Sequence, residues 1–227
     1  MKRWMRLMML VLIVPAVVIA GAVVFSHKSY AWVSLCAALL ICVPFFWRFE
    51  RRRVPAAELV LVAVLVALAV VGRCLFAALP SIKPVAAIVI LTGVYLGAED
   101  GFMVGTMTAL LSNFYFGQGM WTPFQMLAWG VVGLLAGLLA KPLQRSRILL
   151  AVYGVFAGLL FSAIVDVWTV LFHGRGFELT RYAAAMLSSL RVTVTYAVSN
   201  VVFVVPLSYP LGRVLERVKR KYGLAQE

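Results

Sequence analysis

The chain has 227 residues, 64% of them hydrophobic and 13% charged, with a formal net charge of +13 and a mean hydropathy of +1.01. A water-soluble domain cannot hide that much apolar side chain, and several runs approach the ~20 apolar residues that cross a bilayer as a helix. The basic residues gather at the ends of these runs, which argues against nucleic acid as a partner and for a multi-pass protein of the cell (cytoplasmic) membrane, surrounded by lipid bilayer.

The first run, 7–25, follows Met1-Lys2-Arg3-Trp4-Met5-Arg6 and is longer than the apolar part of a secretory signal. Ala20-Gly21-Ala22 is a weak cleavage site, so the run reads as a retained signal anchor. A second run covers 30–47 and meets the basic cluster Arg51-Arg52-Arg53, which divides the chain. Residues 1–50 form an apolar hairpin almost free of embedded polar groups. Residues 51–227 hold six further spans and a basic cytoplasmic tail. These spans are expected near 56–79, 84–98, 102–116, 124–140, 148–172 and 182–210. They are separated by breaks such as Pro80-Ser81-Ile82-Lys83-Pro84, Glu99-Asp100-Gly101 and His173-Gly174-Arg175-Gly176. The runs 84–98 and 102–116 are short. Folding them as one re-entrant hairpin would leave Glu99 and Asp100 in mid-membrane, which favours two tilted spans. With both termini in the cytoplasm, only Lys28, Lys83, Arg175 and Arg181 of the 21 basic residues fall outside, and Arg73 and Arg191 fall within spans. The expected fold is an all-α polytopic membrane protein with about eight spans, a six-helix core preceded by a two-helix transmembrane hairpin.

The stretch from Ser112 to Gln125 interrupts two apolar runs with amides, aromatics and glycines. Lipid offers such groups no hydrogen bonds, so they must face protein, water or a ligand. The topology places Arg73, Asn113, Gln125, Asp166 and Arg191, from five helices, in the outward half of the core. Gln118 lies in the adjoining loop. Trp121, Trp129, Trp168 and Tyr196 are available as walls. Embedding a charge costs about 2.5–3.5 kcal/mol on insertion scales, so these residues need partners or a cavity. An Asp166–Arg191 pair would leave Arg73 to meet a carboxylate, phosphate or amide of a ligand, within an apolar pocket carrying a few convergent polar groups. Each residue also has a plain structural alternative: an arginine snorkelling to the interface, a structural ion pair, an aromatic belt, or helix capping by Asn113 and Gln118. Ala63/Ala67, Gly133/Gly137 and Gly154/Gly158 recur at four-residue spacing, as do Gly93, Gly97, Gly101 and Gly105, a pattern that lets helix backbones approach closely. Cys36, Cys42 and Cys74 read as free thiols in apolar runs, and His27 and His173 lie too far apart for a metal site, so no metal or cofactor is expected. Catalysis has little to work with, because Asp166 is the sole carboxylate placed in a span.

The core over about residues 55–212 resembles the substrate-binding S components of energy-coupling factor (ECF) vitamin transporters. Gly72-Arg73, the Pro80–Pro84 turn and the strip from Ser112 to Met126 carry this resemblance, which looks nearest to the branch for cobalamin or related compounds. The resemblance implies a non-catalytic subunit that captures a vitamin or precursor at the outer face. A transmembrane coupling protein and two cytoplasmic ATPases would then drive its delivery inward. Ala63 and Ala67 match the family's docking feature, and the loops 80–84, 117–123 and 173–181 match those that close over the ligand. The two N-terminal helices depart from the six-span pattern. A contrasting reading is a membrane-embedded enzyme or assembly factor acting on a lipid-like substrate through Asp166.

Overall fold

The computed structural model describes residues 55–173 and 177–223; the expected hairpin of helices 7–25 and 30–47 lies outside these residues. The described chain is all helical, with no strand among the described residues. The helices are α1 (Ala56–Leu75), α2 (Val85–Leu96), α3 (Ala98–Phe116), α4 (Thr122–Leu138), α5 (Ala140–Arg145), α6 (Arg147–His173), α7 (Leu179–Ser188) and α8 (Leu190–Lys221). The segments Ala56–Leu75, Arg147–Leu171 and Leu190–Lys221 are long and apolar enough to cross a membrane. Their outward residues are greasy: Val60, Val64 and Leu68 on α1, Val152, Phe156 and Leu159 on α6, and Val194, Val198 and Val202 on α8. Such faces suit acyl chains and would be unstable in water.

Helix α2 occupies the centre. Every residue from Val85 to Val94 is buried, and α1, α3, α4 and α8 all pack against it. Its 12 residues make a rod of about 18 Å, well short of the ~30 Å hydrocarbon thickness. Because protein surrounds it, its ends need not reach the lipid interface. It is apolar all round, the pattern of a helix with no exposed face.

Three backbones meet where α2, α3 and α4 cross. A methyl group placed on Gly101 would lie 2.7 Å from Gly93 Cα and 2.7 Å from the carbonyl carbon of Gly133. No side chain fits there, and the recurring glycines hold helix against helix within the bundle.

The structure corrects three boundaries. The break between α2 and α3 falls at Gly97, whose φ of 122° is open to glycine and strained for other residues. Glu99 and Asp100 therefore sit in the first turn of α3 instead of in a turn, where their charge matches the positive end of the helix dipole. The span expected at 182–210 is two helices divided at Ser189, the short exposed α7 and the long α8. α8 also runs past Pro206 and Pro210 to Lys221. Buried Val204 and Leu215 anchor it on both sides of the prolines, so the missing N–H bonds do not end it. Much of the expected basic tail is thus helical.

Candidate functional site

Helix ends from α1, α3 and α4 meet at one end of the bundle. Arg73, in the last turn of α1, is only 6% exposed. Through one Nη it donates to Ser112 Oγ and to Asn113 Oδ1, the latter at 2.8 Å. The other side of the Asn113 amide donates from Nδ2 to Thr122 Oγ1 at 3.0 Å and to Gln125 Oε1 at 2.9 Å. Thr122 Oγ1 donates to Gln118 Oε1 at 3.0 Å, and Gln118 Nε2 donates to the Leu110 carbonyl at 2.9 Å. Asn113 therefore joins the three helices, and its acceptor end is committed to the guanidinium.

Aromatic rings close round this network. The Arg73 guanidinium lies 4.4 Å from the Phe116 ring centroid and 5.1 Å from that of Trp129, a favourable approach of a cation to a π face. Trp129 Nε1 donates to Tyr196 Oη at 2.6 Å. Phe161 stacks on Trp129 with centroids 5.3 Å apart and tilts against Tyr196 at 4.9 Å. Trp168 stands 6.4 Å from Trp121 and 6.3 Å from Phe124. Lys83 approaches from the α1–α2 loop, its ammonium 5.4 Å from the Phe116 centroid and its backbone N–H bonded to Ser199 Oγ at 3.0 Å. Burial, and then the Arg73 charge, hold that ammonium below the usual lysine range.

Of the residues singled out in the sequence, the structure joins Arg73, Asn113, Gln118 and Gln125 in one network and sets Trp129 against it. Trp121 is partly exposed beside Trp168. Asp166 belongs to a separate polar track between α6 and α8: it accepts from Ser189 Oγ at 2.7 Å, and below it Thr193 donates to Ser162 Oγ at 2.8 Å. The expected Asp166–Arg191 pair does not form among the described residues. Arg191 is exposed, because the break at Ser189 turns the start of α8 so that serine, not arginine, faces the carboxylate. Sequence reasoning did not name Lys83, Phe116 or Phe161 individually as site residues. Lys83 and Phe116 fell within segments it singled out, the Pro80–Pro84 turn and the Ser112–Gln125 strip, whereas Phe161 had no signal.

Ala63 and Ala67 are exposed on α1 and line an apolar groove of about 420 Å³ between α1 and α3, with Val66, Met103 and Met107. Small side chains here leave a trough into which a neighbouring helix can pack closely.

The groups gathered here are of kinds that hold a ligand. They offer π faces, oriented amides and a buried cation, while the Asp166 carboxylate is engaged elsewhere with a serine. Comparison with curated proteins and with solved structures gave no match. A family model described as "ECF-type riboflavin transporter, S component" matches residues 54–217, nearly all of the bundle that builds this cluster, and the chain belongs to that family of multi-pass membrane proteins.

Proposed function

We propose that this chain is the vitamin-capturing subunit of an ECF-type importer and that it binds a riboflavin-type ligand at the Arg73 cluster. The observation that carries the reading is the buried guanidinium among Ser112, Asn113, Phe116 and Trp129. Flat conjugated rings stack on aromatic faces, and ring carbonyls and imides pair with amides such as Gln125. The family description names riboflavin, which favours a flat heteroaromatic over the cobalamin suggested by the sequence strip. Cobalamin is the competing ligand in the test.

In this reading the cluster faces outward, as the charge distribution implies, and Gln118, Trp121 and Trp129 complete the ligand contacts. Asp166 and Arg191, which the sequence also placed in the pocket, would act at its rim. The groove at Ala63 and Ala67 receives a helix of the coupling protein, and two cytoplasmic ATPases supply the energy. The chain itself performs no chemistry. Equilibrium binding to the purified chain in detergent tests the proposal, with riboflavin and cobalamin offered separately and in competition. Riboflavin bound in one-to-one stoichiometry, and not displaced by cobalamin, is the expected result. Turnover of a lipid-like substrate that depends on Asp166 would instead favour the enzyme reading.

A further inference from the structure

One face of α8 changes character along its length. Val194, Val198 and Val202 are exposed on it, then Pro206 and Tyr209, then Arg213, Arg217 and Arg220. Successive members stand three or four positions apart, so they run along one side of the helix. The opposite side of the last turns is held by the bundle. Gly212 and Leu215 are buried, Gly212 lies against the Tyr95 ring of α2, and Lys219 Nζ donates to the Tyr95 carbonyl at 3.2 Å. These contacts set the rotation of the helix and turn the arginines outward. Gln144 Nε2 of α5 donates to the neighbouring Val94 carbonyl at 2.7 Å. The end of α2 thus brings α5 and the tip of α8 together, away from the Arg73 cluster near its start. Exposed Lys141, Arg145 and Arg147 add to the charge, beside exposed Ile148 and Val152 of α6. Among the described residues, Glu216 is the only exposed carboxylate at this end.

We infer that the stripe Arg213, Arg217 and Arg220 binds the headgroups of acidic phospholipids. Aliphatic side chains, then an aromatic ring, then guanidinium groups is the order in which one leaflet presents acyl chains, interface and phosphates. The arginines span about 10 Å of helix, and their long stems let the charged heads gather at one level. Because they continue a lipid-facing stripe, they point sideways into the headgroup layer. That direction favours lipid over an acidic protein segment approaching from the water. Tyr209 steadies the first of them, the Arg213 guanidinium lying 3.9 Å from its ring centroid. Each basic group near an acidic surface adds attraction that fades within a Debye length. A zwitterionic headgroup has a phosphate but no net charge, so the stripe selects by net charge. The excess of basic residues at this end assigns it to the cytoplasmic leaflet. The inference is independent of what the Arg73 cluster holds.

Thermal unfolding of the full chain in detergent, with phosphatidylglycerol or phosphatidylcholine added to the micelles, tests this. Phosphatidylglycerol is expected to raise the unfolding temperature by about 5 °C or more over phosphatidylcholine at low salt, with the difference shrinking as ionic strength rises. Replacing all three arginines by Gln (Arg213→Gln, Arg217→Gln, Arg220→Gln) should remove most of the difference, and replacing all three by Lys should keep it. Equal stabilisation by the two lipids overturns the inference, as does a difference that survives the triple Gln change. Stabilisation by soluble polyglutamate equal to that by phosphatidylglycerol also overturns it and gives the stripe to an acidic protein partner. If the triple Gln chain does not fold, native mass spectrometry of the wild-type chain in an equal mixture of the two lipids decides. Preferential retention of phosphatidylglycerol supports the stripe, and equal retention overturns it.

Discussion

Asn113 works with both ends of its amide, accepting from Arg73 and donating to Thr122 and Gln125. Asn113→Asp would lose the donors and set a carboxylate against Arg73, turning a cation open to ligand into a closed ion pair. Vitamin affinity is expected to fall about ten-fold or more in this variant, with little loss of thermal stability; unchanged affinity by titration would remove Asn113 from the site. Arg73→Gln should weaken binding at least as much. Lys83 adds a pH dependence. Its depressed pKa means that it loses its proton below the ordinary lysine value of about 10.4. The groups facing it are Arg73 from α1, the Phe116 ring from α3 and Ser199 from α8, with the Cys74 thiol and Tyr196 next beyond Arg73. As pH rises through this pKa the cluster loses positive charge, so its hold on the ring carbonyls of a riboflavin-type ligand weakens. Affinities measured from neutral pH upward should show the decline in wild type and a much weaker one in Lys83→Arg. A flat profile in both contradicts the role given to Lys83.

At the scale of helices, the decisive contacts are between backbones. Gly93, Gly101 and Gly133 bring α2, α3 and α4 together with no room for a side chain, so Gly101→Val must push helices apart. Overpacking costs about 1–3 kcal/mol in a close-packed core, and here the obstacle is backbone that cannot rotate aside. Thermal unfolding in detergent should show a marked loss of stability for Gly101→Val, whereas Leu111→Val on the exposed face of α3 should leave it nearly unchanged. The periodic glycines and apolar runs were legible in the sequence, as were the approximate positions of the helices, because lipid enforces both helix formation and interhelical contact. The boundary at Glu99-Asp100 was misread because acidic residues in a first helical turn resemble a polar loop, and Gly97 alone makes the break. The Asn113 network was foreshadowed by the density of amides between Ser112 and Gln125. Phe116 shared that strip, but Phe161 was not foreshadowed, since one aromatic among many carries no signal until helix rotation is known. The Asp166–Arg191 pairing failed for the same reason: residue depth can be inferred from a sequence, but azimuth around α8 depends on the turn at Ser189.

For the whole molecule, the proposed function puts binding and coupling on different surfaces. The Arg73 cluster joins helix ends, whereas Ala63 and Ala67 line a groove on the flank between α1 and α3. Filling that groove with Ala63→Leu and Ala67→Leu should leave vitamin affinity near wild type yet abolish uptake by cells that contain the coupling protein and ATPases. Paired binding and uptake assays check this, and uptake that persists with the groove filled would locate docking elsewhere. The central claim is that a single chain retains a vitamin at the Arg73 cluster, and mass spectrometry of the small molecules that co-purify with the detergent-solubilised protein tests it most directly. The account predicts one flavin-class molecule per chain in wild type and an empty Arg73→Gln protein. A wild-type chain that carries no such molecule, or full occupancy that survives the loss of Arg73, would contradict it.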